Sequence, residues 1–339
     1  CKIEDSCNWA IELLVSGHYD KFWDKIFNLF LKNININNPL LPIFIYKRYC
    51  KFLDYYSKFE NKLELRNNQV IRNMFCEICC VICNSVKTKT LNFSKIKDND
   101  FNMNYLTTKM KADRDSYIND KLKYGDPSEM KIILNEFNYC LVSKNYELCN
   151  YWLSWAFEFE KKNTKKNKLY VCAYRTIENI DKKYCNDLCW FIWEIIIKES
   201  FKLNENAVDN IQSLYMLYKD DFKPSQKSKK NLIFLYAMKY FTDIYSFSST
   251  IIPDFNIIIQ ACSNVNNLFT DKIHNTHNVE KTIQEKKNYN SNVKNIKQKI
   301  TEKQKKDNVK KLKEIADMKL KMKISAVEQI DSLILNGKI

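Results

Sequence analysis

Residues 184–200, with the sequence YCNDLCWFIWEIIIKES, constrain the fold more than any other stretch of the chain. Apolar side chains occupy every side of the helix that this stretch predicts, and no polar face is wide enough to meet water. A helix that is hydrophobic all round is a buried helix. It has only about four turns, too few to cross a bilayer, so other helices of the same chain have to cover it. We therefore predict a central buried helix at 184–199.

Glycine and proline are too scarce for a protein built from sheets and tight turns. The 339 residues include three Gly and five Pro, whereas average usage would give about 24 and 17. Hairpins and phosphate-binding loops depend on glycine. The composition predicts an all-α protein, a multi-helix bundle or irregular helical stack with a basic C-terminal tail that contains an amphipathic helix.

Helical periodicity and charge divide the chain into four parts. The predicted parts are an N-terminal helical layer (1–86), an irregular connection (87–125), a main helical layer (126–277) and a Lys-rich tail with an amphipathic helix (278–339). The connection is the expected boundary between the two layers, with one short helix near Met103. No apolar run reaches about eighteen residues, so we expect no membrane contact. Because the chain begins at Cys1 and not at Met, we expect it to be a fragment.

Local signals predict where several helices begin and end. Ser6 suits the N-cap of the first helix, and Gly17 suits the corner that joins it to the second. Asp126 followed by Pro127 is the clearest start signal, with Asp126 as the N-cap and Pro127 at the first helical position. Apolar spacing predicts that the fourth helix runs unbroken over about 65–86.

Cys76, Cys79, Cys80 and Cys83 form two overlapping C-x2-C pairs. In a helix all four fall within a sector of about 100°, so they share one face. A structural zinc site needs pairs that converge from different segments, and no glycine here offers a turn to hold them. We interpret the four as buried core thiols, with a metal site as the alternative. The thirteen Cys of the chain, an odd number, indicate reduced thiols and not a disulfide scaffold.

Enzyme motifs are missing from the sequence. Neither G-x-x-x-x-G-K-[ST] nor G-x-G-x-x-G occurs, so nucleotide-dependent chemistry is not expected. A catalytic triad would have to be built on His18 alone, which we interpret as a corner residue. His274 and His277 lie three residues apart where the tail begins, and a transient metal contact is the alternative there. Glu194 is a candidate perturbed carboxylate, although a structural ion pair with a Lys or Arg of a neighbouring helix is the preferred interpretation. We therefore expect no enzymatic activity, no cofactor and no catalytic residue.

The basic charge of the chain is concentrated near its C-terminus. Residues 280–323 contain fifteen Lys and six acidic residues, within a net charge of +15 for the whole chain. Such an excess attracts the phosphates of DNA or RNA and is screened by salt. The predicted phosphate contacts are Lys303, Lys305, Lys306, Lys310 and Lys311. The alternative is a solvated tail or a partner-binding coiled coil. Its predicted contact residues are Leu320, Val327 and Ile334.

Several segments within the first 270 residues carry hydrophobic and aromatic signatures. They are SGHY (16–19), NPLLPIFIYKR (38–48), LRNNQVIR (65–72), NYWLSWAFEFEK (150–161), YRTIENIDKKYCNDLCWFIWE (174–194) and IIIQACSNVN (257–266). Together they resemble an uncharacterised conserved protein family of the nucleocytoplasmic large DNA viruses, the giant viruses. The resemblance includes no catalytic motif, so it implies a viral origin and a helical fold but no active residue. It also implies a location in the host cytoplasm, the viral factory or the virion.

Two functional hypotheses follow from these observations. The first is a non-enzymatic viral accessory factor for replication or transcription, whose helical body holds protein partners and whose Lys-rich tail contacts phosphates. The second is a structural or scaffolding protein of the virion or viral factory, whose tail helix self-associates or pairs with another chain. The hypotheses differ in whether the tail recognises nucleic acid or protein.

Overall fold

The computed structural model describes residues 2–165, 170–220 and 222–273. Over these residues the chain is helical and forms no strand, which confirms the predicted all-α class. The helices are α1 (Ile3–Val15), α2 (Tyr19–Leu29), α3 (Leu41–Lys58), α4 (Gln69–Asn84), α5 (Met103–Lys109), α6 (Ser128–Val142), α7 (Tyr146–Lys165), α8 (Leu188–Ser200), α9 (Glu205–Lys219), α10 (Lys227–Lys230), α11 (Leu232–Thr242) and α12 (256–273). Among the described residues, none of these helices is long and apolar enough to span a membrane.

The corner between α1 and α2 has the predicted glycine at its centre. Gly17 has a φ of +71°, and the N–H of His18 donates to the carbonyl of Leu13 at 2.8 Å. This is the left-handed helix end that glycine adopts without strain. The predicted start of α1 is wrong, because Ser6 lies inside the helix. Its hydroxyl donates to the carbonyl of Lys2 at 3.1 Å and so does not cap the helix.

The predicted fourth helix is divided in two. A 3-10 turn covers Lys62–Asn67, and α4 begins after it. Asn68 stands between the two, and its side-chain oxygen accepts a hydrogen bond from the N–H of Val70 at 2.9 Å. An Asn that caps a new helix in this way ends the helical path that precedes it. The apolar spacing continues through this cap, which is why the sequence predicted one unbroken helix.

The connection at 87–125 contains α5 where a short helix was predicted, and it is held against α7. The Trp155 indole N–H donates to the carbonyl of Asp100 at 2.7 Å. Residues 1–272 belong to one compact unit, and α3 packs along α9, so helices from both predicted layers share a core. The division into two layers stays a prediction.

The central helix is α8, and it begins later than predicted. A 3-10 turn covers Lys182–Tyr184, and the Asp187 side chain then accepts from the N–H of Cys189 at 2.9 Å. This cap sets the start of α8 at Leu188 and corrects the expected range of 184–199. Trp190 and every apolar residue from there to position 196 are at most 1% exposed. The helix is therefore buried except for one narrow stripe, where the side chains of Glu194 and Lys198 are 22% and 41% exposed.

Aromatic rings from α9, α11 and the segment after α9 cover α8. Trp193 lies 4.7 Å from Phe234 of α11 and 5.6 Å from Tyr218 of α9, measured between ring centroids. Trp190 lies 4.9 Å from Phe222, just beyond α9. Such pairs add to the free energy of burial when the rings meet edge-on or offset. An aromatic part of the core therefore lies where α8, α9 and α11 meet.

Candidate functional site

Four cysteines share one face of α4, as predicted. Cys76 and Cys80 are fully buried, Cys79 is 6% exposed and Cys83 is half-buried. The Cys79 sulfur donates to the carbonyl of Ser6 in α1 at 3.6 Å, so the cysteine face of α4 lies against α1.

A fifth cysteine, Cys7 of α1, points into this face. Its sulfur donates to the carbonyl of Cys76 at 3.9 Å and lies within hydrogen-bonding reach of the thiols of Cys76, Cys79 and Cys80. Cys7 is 2% exposed. Cys7 was not among the predicted site residues, because nothing in its local pattern shows that α1 packs on α4.

A sixth cysteine comes from α12. Cys262 is half-buried and donates to the carbonyl of Asn73 at 3.6 Å, while Cys80 donates to the carbonyl of Ile257 at 4.0 Å. Three helices thus contribute to one thiol cluster, which consists of Cys7, Cys76, Cys79, Cys80, Cys83 and Cys262. Across the part of the chain that the structure describes, no group of three or more Cys, His, Asp or Glu has the geometry to hold a metal ion.

The thiols of this cluster differ in their pKa. Thiol hydrogen bonds from Cys76, Cys79 and Cys80 lower the pKa of Cys7, although burial opposes the shift. The hydrogen bond with Cys7, together with burial, raises the pKa of Cys76 and Cys80. Since three donors surround one sulfur, Cys7 is the member that most readily becomes the thiolate, and the thiolate is the reactive form of cysteine.

Glu194, the candidate carboxylate of the central helix, lies in an ion pair. Its carboxylate accepts from the Nε of Arg175 at 2.7 Å and lies 3.3 Å from the Nζ of Lys198. The preferred interpretation placed the partner on a neighbouring helix. Arg175 instead lies in the irregular segment before α8, and Lys198 lies one turn further along α8 itself.

Arg175 also binds Asp126, which corrects the predicted start of α6. The helix begins at Ser128 with Pro127 as its N-cap, and Asp126 does not cap it. Burial alone would raise the pKa of Asp126, but hydrogen bonds from Arg175 and from the N–H groups of Lys123 and Ala173 outweigh it and lower the pKa. The Asp126 carboxylate therefore connects the turn before α6 to the irregular segment before α8, which contains Arg175.

Two further buried ion clusters join α8 to the segment before α6 and to α7 and α10. Lys121, 3% exposed, lies 3.1 Å from Glu199 and beside a cavity of about 360 Å³. Lys227 of α10 lies 2.6 Å from both Glu160 of α7 and Asp187, the N-cap of α8. All of these charges have partners within the body, which indicates a structural role.

An open groove of about 880 Å³ lies on the body between α2, α3 and the region around α10. Aromatic side chains line it, and its rim carries both acidic and basic residues. The aromatic lining residues are Tyr19, Trp23, Phe27, Tyr49, Phe52 and Tyr56. The rim has no excess of one charge that would select a charged ligand.

Most of the other sequence candidates lie outside the described residues. His18 is exposed at the corner before α2, where it was expected. His274 and His277 lie beyond the described part of the chain. The same holds for the five tail lysines (Lys303, Lys305, Lys306, Lys310 and Lys311) and for the three apolar positions of the predicted tail helix (Leu320, Val327 and Ile334). Their roles stay predictions.

Comparison with known proteins adds no relative to this description. No family model, no curated protein and no solved structure matches the chain. The class defined by the structure is thus an all-α helical body with a buried central helix, internal ion clusters and a thiol cluster.

Proposed function

We propose that this protein is a non-enzymatic viral accessory factor for replication or transcription, which binds nucleic acid through its Lys-rich tail. The observation that carries the proposal is the local excess of charge: residues 280–323 contain fifteen Lys and six acidic residues. In this proposal the helical body holds protein partners, and the protein acts in the host cytoplasm or the viral factory. The viral assignment rests on the six sequence segments quoted above.

The cations buried in the body support a role for the tail. Lys121, Arg175 and Lys227 each contact two carboxylates of the body, and their side chains are between 3% and 13% exposed. A cation that is already paired and buried offers little attraction to a phosphate at the surface. The tail lysines have few acidic neighbours in sequence, so their charge is available to release counterions from a nucleic acid.

Replacing tail lysines tests the proposal on the full chain. The test variant replaces Lys303, Lys305, Lys306, Lys310 and Lys311 by Gln. The control variant makes the same change at five exposed lysines of the body: Lys25, Lys47, Lys51, Lys89 and Lys131. Both variants lose five positive charges, so they differ only in where the charge is removed.

Binding of a labelled duplex and a labelled single strand is measured by fluorescence anisotropy near physiological salt. We expect the tail variant to bind at least ten-fold more weakly than the wild type, to about the same extent for different sequences, since phosphates carry no base identity. The control variant should stay within about two-fold of the wild type. Equal losses in the two variants would mean that overall charge, and not the tail, governs binding.

A further inference from the structure

The thiol cluster joins two helices that are far apart in the sequence. Cys7 belongs to α1, and Cys76, Cys79 and Cys80 belong to α4, on which α1 packs directly. The Cys7 sulfur donates to the carbonyl of Cys76 at 3.9 Å, and the Cys79 sulfur donates at 3.6 Å to the carbonyl of Ser6, the residue before Cys7. The twelve described cysteines are reduced thiols. A disulfide needs two sulfurs that can approach to about 2 Å with only small backbone movement. The packing of α1 on α4 places Cys7 directly against the cysteine face of α4, where a small movement can bring two sulfurs together.

Local opening of the first turns of α1 can expose the buried Cys7 to solvent. The helix begins at Ile3 with no side-chain hydrogen bond at its N-cap, and Cys7 is its fifth residue. Helix ends without caps open locally at low free-energy cost. When the first turns of α1 open, Cys7 becomes accessible while its partners stay on α4.

We propose that Cys7 forms a reversible disulfide with a cysteine of α4, with a low-molecular-mass disulfide such as oxidised glutathione as the oxidant. First, the Cys7 thiolate attacks one sulfur of the oxidant, which forms a mixed disulfide and releases one thiolate. Then a thiolate of α4 attacks the Cys7 sulfur, forms the protein disulfide and releases the second thiolate. Two protein thiols are oxidised, and one small disulfide is reduced to two thiols.

The disulfide would fasten α1 to α4. It would close a loop that includes α2 and α3, which form two walls of the aromatic groove, and so it would restrict the unfolded chain and raise the melting temperature. The oxidised protein would thus keep its N-terminal helix closed under conditions in which the reduced protein opens it. This inference is independent of the nucleic-acid proposal.

Tryptic mapping identifies the bond directly. The full chain is reduced, incubated with oxidised glutathione, quenched with acid, denatured and treated with N-ethylmaleimide. Of the thirteen thiols, two should escape alkylation. Digestion without reductant should then link the peptide 3–21, which contains Cys7, to the peptide 73–87, which contains all four cysteines of α4. The melting temperature of the oxidised protein should be higher than that of the reduced protein.

Two variants assign the bond. Cys7→Ala should abolish the link, whereas Cys50→Ala, which removes an exposed cysteine of α3, should leave it intact. If Cys7→Ala does not fold, the peptide map of the wild-type protein still decides, because peptide 3–21 contains only one cysteine, Cys7. A disulfide confined to peptide 73–87, a protein that carries only glutathione adducts, or thirteen alkylated thiols after oxidation would each overturn the proposal.

Discussion

Arg175 donates two parallel hydrogen bonds to Asp126 in the interior of the body. Its two terminal nitrogens donate to the two carboxylate oxygens at 2.9 Å and 3.0 Å, and the side chains are 3% and 1% exposed. Two parallel bonds fix the orientation of both groups. The contact joins the irregular segment before α8 to the turn before α6, and neither segment has an apolar periodicity that would hold it there.

Removal of the arginine should therefore cost much of the stability of the body. Arg175→Met leaves Asp126 and Glu194 without their shared cation, and an uncompensated buried charge typically costs about 3–5 kcal/mol. We expect the free energy of unfolding, measured with urea, to fall by this amount. Lys183→Met is the matched control, because Lys183 is 63% exposed in the same segment. A similar result for the two variants would show that the Arg175 contacts contribute nothing special.

The buried carboxylates of Asp126 and Glu199 should make the stability of the fold depend on pH. The folded pKa of Asp126 lies below its ordinary value of 3.8, and that of Glu199 lies below 4.5. A lowered carboxyl pKa stabilises the fold fully above the unfolded value, and this stabilisation is lost as the pH falls through the folded value. Stability should thus decline below about pH 4.5.

Asp126→Asn tests this pH dependence. The variant should be less stable than the wild type at neutral pH and should lose less stability on acidification. Urea unfolding from about pH 7 to about pH 2 measures both slopes. Parallel curves for the two proteins would exclude Asp126 from the acid transition.

Lys227 should be needed for the stability of the fold, because its ammonium group lies between two carboxylates. Its Nζ lies 2.6 Å from both Glu160 and Asp187. Lys227→Met should lower the free energy of unfolding by about 3–5 kcal/mol at neutral pH. Burial and then Asp187 raise the pKa of Glu160, while Lys227 opposes them. Without Lys227 the pKa of Glu160 rises further, and a raised carboxyl pKa favours the folded state at low pH.

The deficit of Lys227→Met should therefore shrink as the pH falls from neutral toward about 5. Lys229→Met provides the control, since Lys229 is 83% exposed on the same short helix. A deficit that stays constant with pH would contradict the role assigned to Glu160.

The all-α class and several local features of the helices could be predicted from the sequence, because they depend on apolar spacing between residues close together in the chain. The burial of the apolar residues of α8, the Gly17 corner and the short helix in the connection follow from residues close together in the chain. Capping by Asn68 was missed because apolar spacing continues through it.

Side-chain contacts between residues far apart in the chain could not be predicted from a single sequence. Asp126 has the chemistry of an N-cap, and only its contact with Arg175, far along the chain, shows why it does not cap. Likewise, the cysteine face of α4 was predicted, but Cys7 joins it through helix packing. Side-chain pairs across such separations leave no periodic signal.

Gly17 should resist replacement because of its backbone conformation. Its φ is +71°, and a Cβ there would lie 2.8 Å from the Cδ2 of Leu63. Gly17→Ala should cost about 1–2 kcal/mol of unfolding free energy from left-handed strain. Gly17→Asn introduces the same Cβ but tolerates this conformation better, so it should cost less. Equal costs would assign the effect to the contact with Leu63 and not to φ.

The salt dependence of duplex binding tests the proposed function most directly. The logarithm of the association constant should fall linearly with the logarithm of the salt concentration, with a slope of about −0.9 for each phosphate neutralised. Replacing the five tail lysines (Lys303, Lys305, Lys306, Lys310 and Lys311) by Gln should reduce the magnitude of this slope by up to about 4.5, and the control at five body lysines should keep the wild-type slope. A tail variant with the wild-type slope would show that these lysines do not contact the phosphates.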